Sequence, residues 1–378
     1  MDIDLSGEKL KSLHISSLDD VEDDEEVQND DVEDEVSDED DEEEDQVPMT
    51  LGFVEKPKNP WTLLRQYFPS KAGGTPAWLD PINLPSEKSS LCDFCGEPLQ
   101  FLLQVYAPLP EESTFHRTLF IFMCPSMTCL LRDQHEQWKR HPETPSKAKL
   151  CNWCGTWKGD KICSSCRRAR YCSGKHQTGH WRSGNSSHKV FCRQMDTSGK
   201  ESESAYWQTA ASNSLWPEYE ITNEDEGEPD EEMTNDDGSA SSLISRSRMD
   251  GSFGKLQTYF KGNGENRSWA SFQERISLAP DQVLRYSSSA EAKPLWPVSS
   301  GRPSKLDIPK CNSCGGTRGF EFQVLPQLLY FFHVKDSEDS LDWATIVVYT
   351  CEASCEGGVG YKEEFAWVQL ASQSISHR

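Results

Sequence analysis

The chain has 378 residues and a formal net charge of −25, long enough for two or three domains. The charge is unevenly spread. Residues 1–47 hold 23 acids and two bases, residues 217–238 hold eleven acids and no lysine or arginine, and everything else carries +7. These figures exclude a uniformly acidic fold and describe a mildly basic body with two acidic segments too polar to bury a core. No stretch approaches the roughly 20 apolar residues of a membrane helix, and "MDIDLSGEKL" lacks the basic and apolar regions of a signal peptide. The expected compartments are cytoplasm and nucleus, where thiols stay reduced, so the fourteen cysteines point to metal before disulfides.

In chain order, residues 1–47 read as a disordered acidic tail and residues 48–146 as an N-terminal β-rich unit. Its strands are "FLLQVYAPL" (Phe101–Leu109) and "TLFIFMC" (Thr118–Cys124), with a short helix over "RDQHEQWKRH" (Arg132–His141). A Cys/His block follows within 147–195, then an acidic linker over 196–250. In the last unit, 251–378, "FQERISLAPDQVLRY" reads as a helix broken at Pro280. "FEFQVLPQLLYFF", "WATIVVYTC" and "EEFAWVQL" read as strands. The two β-rich units repeat each other, since "CDFCGEPLQFLLQV" (Cys92–Val105) aligns without a gap on "CNSCGGTRGFEFQV" (Cys311–Val324). The fold class expected is α+β, mainly β, with two related zinc-stapled units forming one body around an inserted finger.

The central block spells eight ligands, C-x2-C-x8-C-x2-C-x5-C-x3-H-x11-H-x3-C. Zinc takes four nitrogen or sulfur ligands in a tetrahedron. In a cross-brace the first and third pairs share one ion, Cys151, Cys154, Cys172 and His176. The second and fourth share the other, Cys163, Cys166, His188 and Cys192. Metal binding then supplies the folding free energy that so short a segment cannot draw from a core. The block resembles the MYND zinc finger in "YCS", in the Gln after the sixth ligand and in the Trp five residues after it. His176 stands where that family usually has cysteine, and the same register makes His180 a solvated surface residue. The remaining cysteines form two further sets, Cys92, Cys95, Cys124, Cys129 and Cys311, Cys314, Cys351, Cys355, so sixteen ligands make four sites with no cysteine left over. All are closed structural sites by this reading; no H-x-E, P-loop, dinucleotide fingerprint or G-x-S-x-G motif is present, and no enzyme is expected.

Between Lys147 and Arg193 stand eleven lysines and arginines against one acid, Asp160. Phosphate binding is one explanation; compensation of zinc thiolates is another. Trp153, Trp157 and Trp181 offer a peptide-binding surface, as MYND fingers bind proline-containing peptides, and peptide or intramolecular docking is preferred here to nucleic acid. Taken together, "FLLQVYAPL", "FHRTLFIFMC", the finger with His176, "FEFQVLPQLL" and "VVYTC…SC…GYKEEFAWVQ" resemble the programmed cell death protein 2 family, in its finger-containing branch, over about Gly52–Gln369. The resemblance implies a non-enzymatic chaperone that escorts a basic small-subunit ribosomal protein, related to bacterial S5, between cytoplasm and nucleus; the chain is expected to be a monomer. On that view the acidic segments shield the client and the finger is an accessory docking module whose deletion is tolerated better than in an adaptor. The alternative is a nuclear adaptor that recruits transcriptional regulators through the finger.

Overall fold

The computed structural model describes residues 47–85, 88–132, 149–183, 188–194, 215–227, 266–335, 340–356 and 360–370. The acidic tail, the helix expected over Arg132–His141 (Arg132 apart) and most of the acidic linker lie outside the described residues. No described helix is long and apolar enough to cross a membrane.

The body is one curled, mainly antiparallel sheet. Its strands are β1 (Thr50–Glu55), β2 (Lys71–Ala72), β3 (Gln100–Tyr106), β4 (Thr118–Met123), β7 (Tyr219–Asp225), β8 (Leu284–Tyr286), β9 (Arg318–Val324), β10 (Thr345–Cys351) and β11 (Phe365–Gln369). Their order is β11-β10-β9-β8-β1-β7-β2-β3-β4. The inner face holds one core drawn from both halves, including Leu103, Val105, Ile121, Tyr219, Ile221, Leu284, Phe322, Val348 and Trp343. Curling brings the β4 end to β9, where Arg117 Nη1 donates to Glu321 Oε1 at 2.6 Å and the Thr350 hydroxyl donates to the same carboxylate.

The repeat seen in "FLLQV" and "FEFQV" extends to the whole sheet. Gln104 lies opposite Lys71, and its counterpart Gln323 lies opposite Arg285. β1 and β7 run antiparallel from Thr50–Asp225 to Glu55–Glu220, with Phe53 opposite Thr222 at the middle. β2 pairs with β7, not with β1, while β8 pairs with β1. A pseudo-twofold axis therefore passes between Phe53 and Thr222, and each unit's first strand is lent to the other unit.

This corrects the reading of 196–250 as a linker, and of the C-terminal unit as starting at 251. β7 opens that unit, and its acidic neighbours hid it. Tyr219 and Ile221 are buried on alternate positions facing the core, as a half-buried strand requires. The flanking Glu218 pairs with the buried Lys71, and Glu226 pairs with the buried Arg285 at 2.7 Å. A second correction concerns "FEFQVLPQLLYFF". The strand stops at Val324, and Pro326, with φ −67°, caps a short helix over Gln327–Phe331 that packs Leu328 into the core. The other helix of this half among the described residues, Asn266–Leu278, buries Trp269, Phe272 and Ile276 at helical spacing and ends before Pro280.

Because Ile221 belongs to a shared core, Ile221→Ala is expected to cost about 2–4 kcal/mol. Urea denaturation should show one transition, displaced as a whole; a linker residue would leave the midpoint unchanged.

Candidate metal centres

Four turns of one design present the cysteines. In each, the carbonyl of the first cysteine accepts from the amide four residues on: Gly96 to Cys92 at 2.8 Å, Gly155 to Cys151 at 2.8 Å, Arg167 to Cys163 at 2.9 Å and Gly315 to Cys311 at 2.8 Å. The closing residue is left-handed every time, with φ of 69°, 64°, 53° and 73°. Glycine adopts that conformation freely; Arg167 does not.

Each pair of turn cysteines meets its partners where the elements end. Cys124 follows β4 and Cys129 lies in α1 (Met127–Leu130), while Cys351 ends β10. In the finger, Cys172 follows the small hairpin of β5 (Lys161–Ile162) and β6 (Arg170–Tyr171). His176 stands in the first turn of α2 (Gly174–Arg182), whose cap Ser173 accepts from the His176 amide at 3.0 Å. His188 and Cys192 are four residues apart on α3 (His188–Gln194), hence on one face.

The structure gathers the sixteen residues into the four sets that the spacing predicts, each with its donor atoms within 4.8 Å of one another. None of the fourteen cysteines is in a disulfide. A tetrahedron with zinc–sulfur bonds of about 2.3 Å has edges of about 3.8 Å. The sulfur separations are 3.7 Å for Cys95–Cys124, 3.8 Å for Cys154–Cys172, 3.9 Å for Cys163–Cys192 and 3.6 Å for Cys314–Cys351. His176 presents Nδ1 at 3.1 Å from Cys172 Sγ, and His188 presents Nε2 at 3.3 Å from Cys166 Sγ. Soft thiolates with imidazole at this spacing suit zinc. The ammonium of Lys362, 3.7 Å from Cys355 Sγ, offsets part of the charge of the all-thiolate set.

His180 is not a ligand, but neither is it solvated. It is fully buried, 3.0 Å from the Tyr171 hydroxyl, and burial, with the neighbouring His188 second, pushes its pKa down to about 4. Its place is the packing between the two finger sites, which the ligand register alone does not reveal.

The tryptophans part company. Trp157 is 2% exposed and faces the body instead of a peptide. Its Nε1 donates to the Leu99 carbonyl at 2.6 Å, its ring lies 4.4 Å from that of Phe122, and Trp78 Nε1 donates back to the Thr156 carbonyl at 3.2 Å. Tyr361 closes the same cluster, its ring 4.9 Å from that of Trp78. Trp153 is half-buried along a cleft of about 440 Å³ between the finger and the Cys95–Cys124 site, spanned by a Lys175–Glu97 ion pair at 3.1 Å. Only Trp181, 38% exposed, keeps the open face expected of all three.

Comparison with known proteins agrees with this architecture. Residues 48–154 match the family model "Programmed cell death protein 2, N-terminal domain", residues 266–370 match "Programmed cell death protein 2, C-terminal putative domain", and residues 151–192 match "MYND finger". Programmed cell death protein 2 of Bos taurus is 38% identical over 353 residues, 85% of this chain and 96% of its own length. The chain belongs to the programmed cell death protein 2 family. Programmed cell death protein 2-like of Homo sapiens is 27% identical over 76% of the chain and 85% of its own length. A Schizosaccharomyces pombe protein named "Probable 20S rRNA accumulation protein 4" is 30% identical over 26% of the chain and 27% of its own length. No solved structure matches.

Metal analysis of the purified chain is expected to give four zinc ions. Cys314→Ser should lower the content to three and destabilise the protein by several kcal/mol, a fraction of the roughly 10–16 kcal/mol that a structural zinc contributes. Trp157→Ala is expected to cost about 3–5 kcal/mol in denaturant unfolding while all four ions stay bound; a finger that is only an accessory would show no cost.

Proposed function

We propose that this chain is a non-enzymatic, zinc-stapled escort of a basic small-subunit ribosomal protein, and that the outer face of the β1–β7 pair holds an extended segment of that client. The observation that carries the reading is electrostatic. On the outer face, Glu55 lies directly opposite Glu220 and Glu224 opposite Leu51. Like charges opposed across a ladder are destabilising. Among the described residues no ion pair reaches Glu55 or Glu224, whereas Glu220 has the buried Lys71 as its other cross-strand neighbour and accepts from the Thr62 hydroxyl at 3.3 Å. A cationic chain laid along this face relieves the repulsion, and Phe53 and Thr222, both part-exposed between the carboxylates, give it a floor.

The acidic segments at 1–47 and 217–238 extend the same complementarity. Family membership and the rRNA-accumulation name of the fission-yeast relative support a place in small-subunit biogenesis. An S5-related client rests on the family resemblance, as does work in both cytoplasm and nucleus. The buried Trp157 removes part of the surface on which a finger-based adaptor would rely.

The double variant Glu55→Lys, Glu224→Lys tests this site, leaving Glu220 opposite the buried Lys71. Affinity purification followed by mass spectrometry should recover a small-subunit ribosomal protein with the wild-type chain. The variant should lose it by tenfold or more, about 1.4 kcal/mol, while keeping its zinc and its unfolding midpoint. No enrichment of ribosomal protein with wild type sinks the function, and enrichment unaffected by the variant sinks the site.

A further inference from the structure

We infer that the outer metal site of the finger is a single-stranded RNA contact, with Arg167 and neighbouring cations on phosphates and Trp181 stacked on a base. This goes beyond the client reading and does not depend on it.

The first support is placement. Docking through Thr156 and Trp157 commits the first cysteine turn to the body, so the second turn faces outward. Lys161, Arg167 and Arg168 flank Cys163 and Cys166, Lys189 follows His188, and all four are exposed. Each stands one or two residues from a ligand of one site whose donor atoms lie within 4.8 Å of one another. Trp181 belongs to the same surface, its ring 5.9 Å from His188, with the exposed Arg182 beside it. Cations around an open aromatic face are the recurring means of binding single strands.

Charge balance is the second. A Cys3His zinc site carries one net negative charge, which cannot absorb Lys161, Arg167, Arg182 and Lys189. No acid occurs among the described residues from Lys161 to Gln194, and the neighbouring Asp160 is paired with Lys158 at 2.8 Å. Compensation of thiolates therefore leaves most of the positive charge unexplained.

The third is strain. Gly96, Gly155 and Gly315 close the other three turns, but Arg167 closes this one at φ 53°. A left-handed non-glycine residue costs roughly 1 kcal/mol, and the Cβ is present where the same turn is made three times without one. Strain held at one of four equivalent positions marks a residue kept for its side chain, and a guanidinium fork suits phosphate oxygens. A proline-containing peptide, the occupant expected from the sequence, would use the indole and leave the cations idle, and an acidic peptide would do the reverse; a single strand uses both.

The test is fluorescence anisotropy with the full zinc-loaded chain and a labelled 15-nucleotide oligouridine at several KCl concentrations. Binding should weaken with salt at a log–log slope of about −2 to −3, as three or four phosphate contacts on a single strand require. Arg167→Gly removes the side chain and the strain together. It should weaken binding roughly tenfold and reduce the slope by about 0.7, with an unchanged or higher melting temperature. Trp181→Ala should lose roughly five- to hundredfold in affinity with the slope intact. Absent or salt-insensitive binding overturns the inference. So does polyglutamate competing as well as RNA, with Trp181→Ala without effect, which would assign the surface to an acidic protein.

Discussion

The six-residue ladder between β1 and β7 is the contact on which the rest of the molecule depends. It is the central seam of the described sheet, where the first strands of the two units pair with each other and each then pairs with the other unit. Breaking it would expose the facing backbone edges of β1 and β7 and open a core whose residues come from both sides. Buried charge reinforces the seam. Lys71 and Arg285 occupy equivalent positions flanking the pair, and each is matched by a glutamate at one end of β7. A buried cation without its carboxylate costs far more than the pair contributes, so these two glutamates of the acidic run are structural members of the sheet.

The pseudo-twofold axis also explains what the finger does for the body. Gln104 Oε1 accepts from the Ala77 amide at 2.8 Å, and Gln323 Oε1 accepts from the Leu295 amide at 2.6 Å. This pins Trp78 and Trp296 over corresponding strands, Phe120 and Phe122 in one half, Val347 and Tyr349 in the other. In the C-terminal half the apolar patch is finished by Phe365 and Trp367 of β11. In the N-terminal half, Trp157 of the finger and Tyr361 finish it. A metal-folded insert thus stands where the other unit uses a strand, and its orientation is set by the body it covers.

Much of this was legible in the residues. The repeat was visible because a C-x2-C-G turn followed by Phe and Gln-Val is a local pattern, and the ligand sets followed from spacing that tetrahedral zinc constrains tightly. What escaped was non-local. Tyr219 and Ile221 alternate correctly for a strand, but eleven nearby acids masked the signal; asking what precedes the second copy of the repeat, as β1 precedes the first, would have found it. The burial of Trp157 and His180 left no local trace, since neither residue differs in type from an exposed counterpart, and only docking decides which face closes. The helix after Pro326 was misread because an apolar run of that length suits strand or helix equally, and the proline settles which.

The exchange of first strands imposes an order on synthesis. β1 must wait for β7, more than 160 residues later, and for β8 beyond it. At roughly 5–20 residues per second that is on the order of 10–50 s of ribosome time, during which an apolar strand with two unsatisfied edges stands outside any sheet. The two metal sites of the finger and the one whose ligands bracket β3 and β4 can close in that interval, holding the N-terminal half in pieces that are locally folded but jointly open. The molecule reaches its final shape only as its last strands emerge, so a chain cut before β7 leaves β1 without either of its partners.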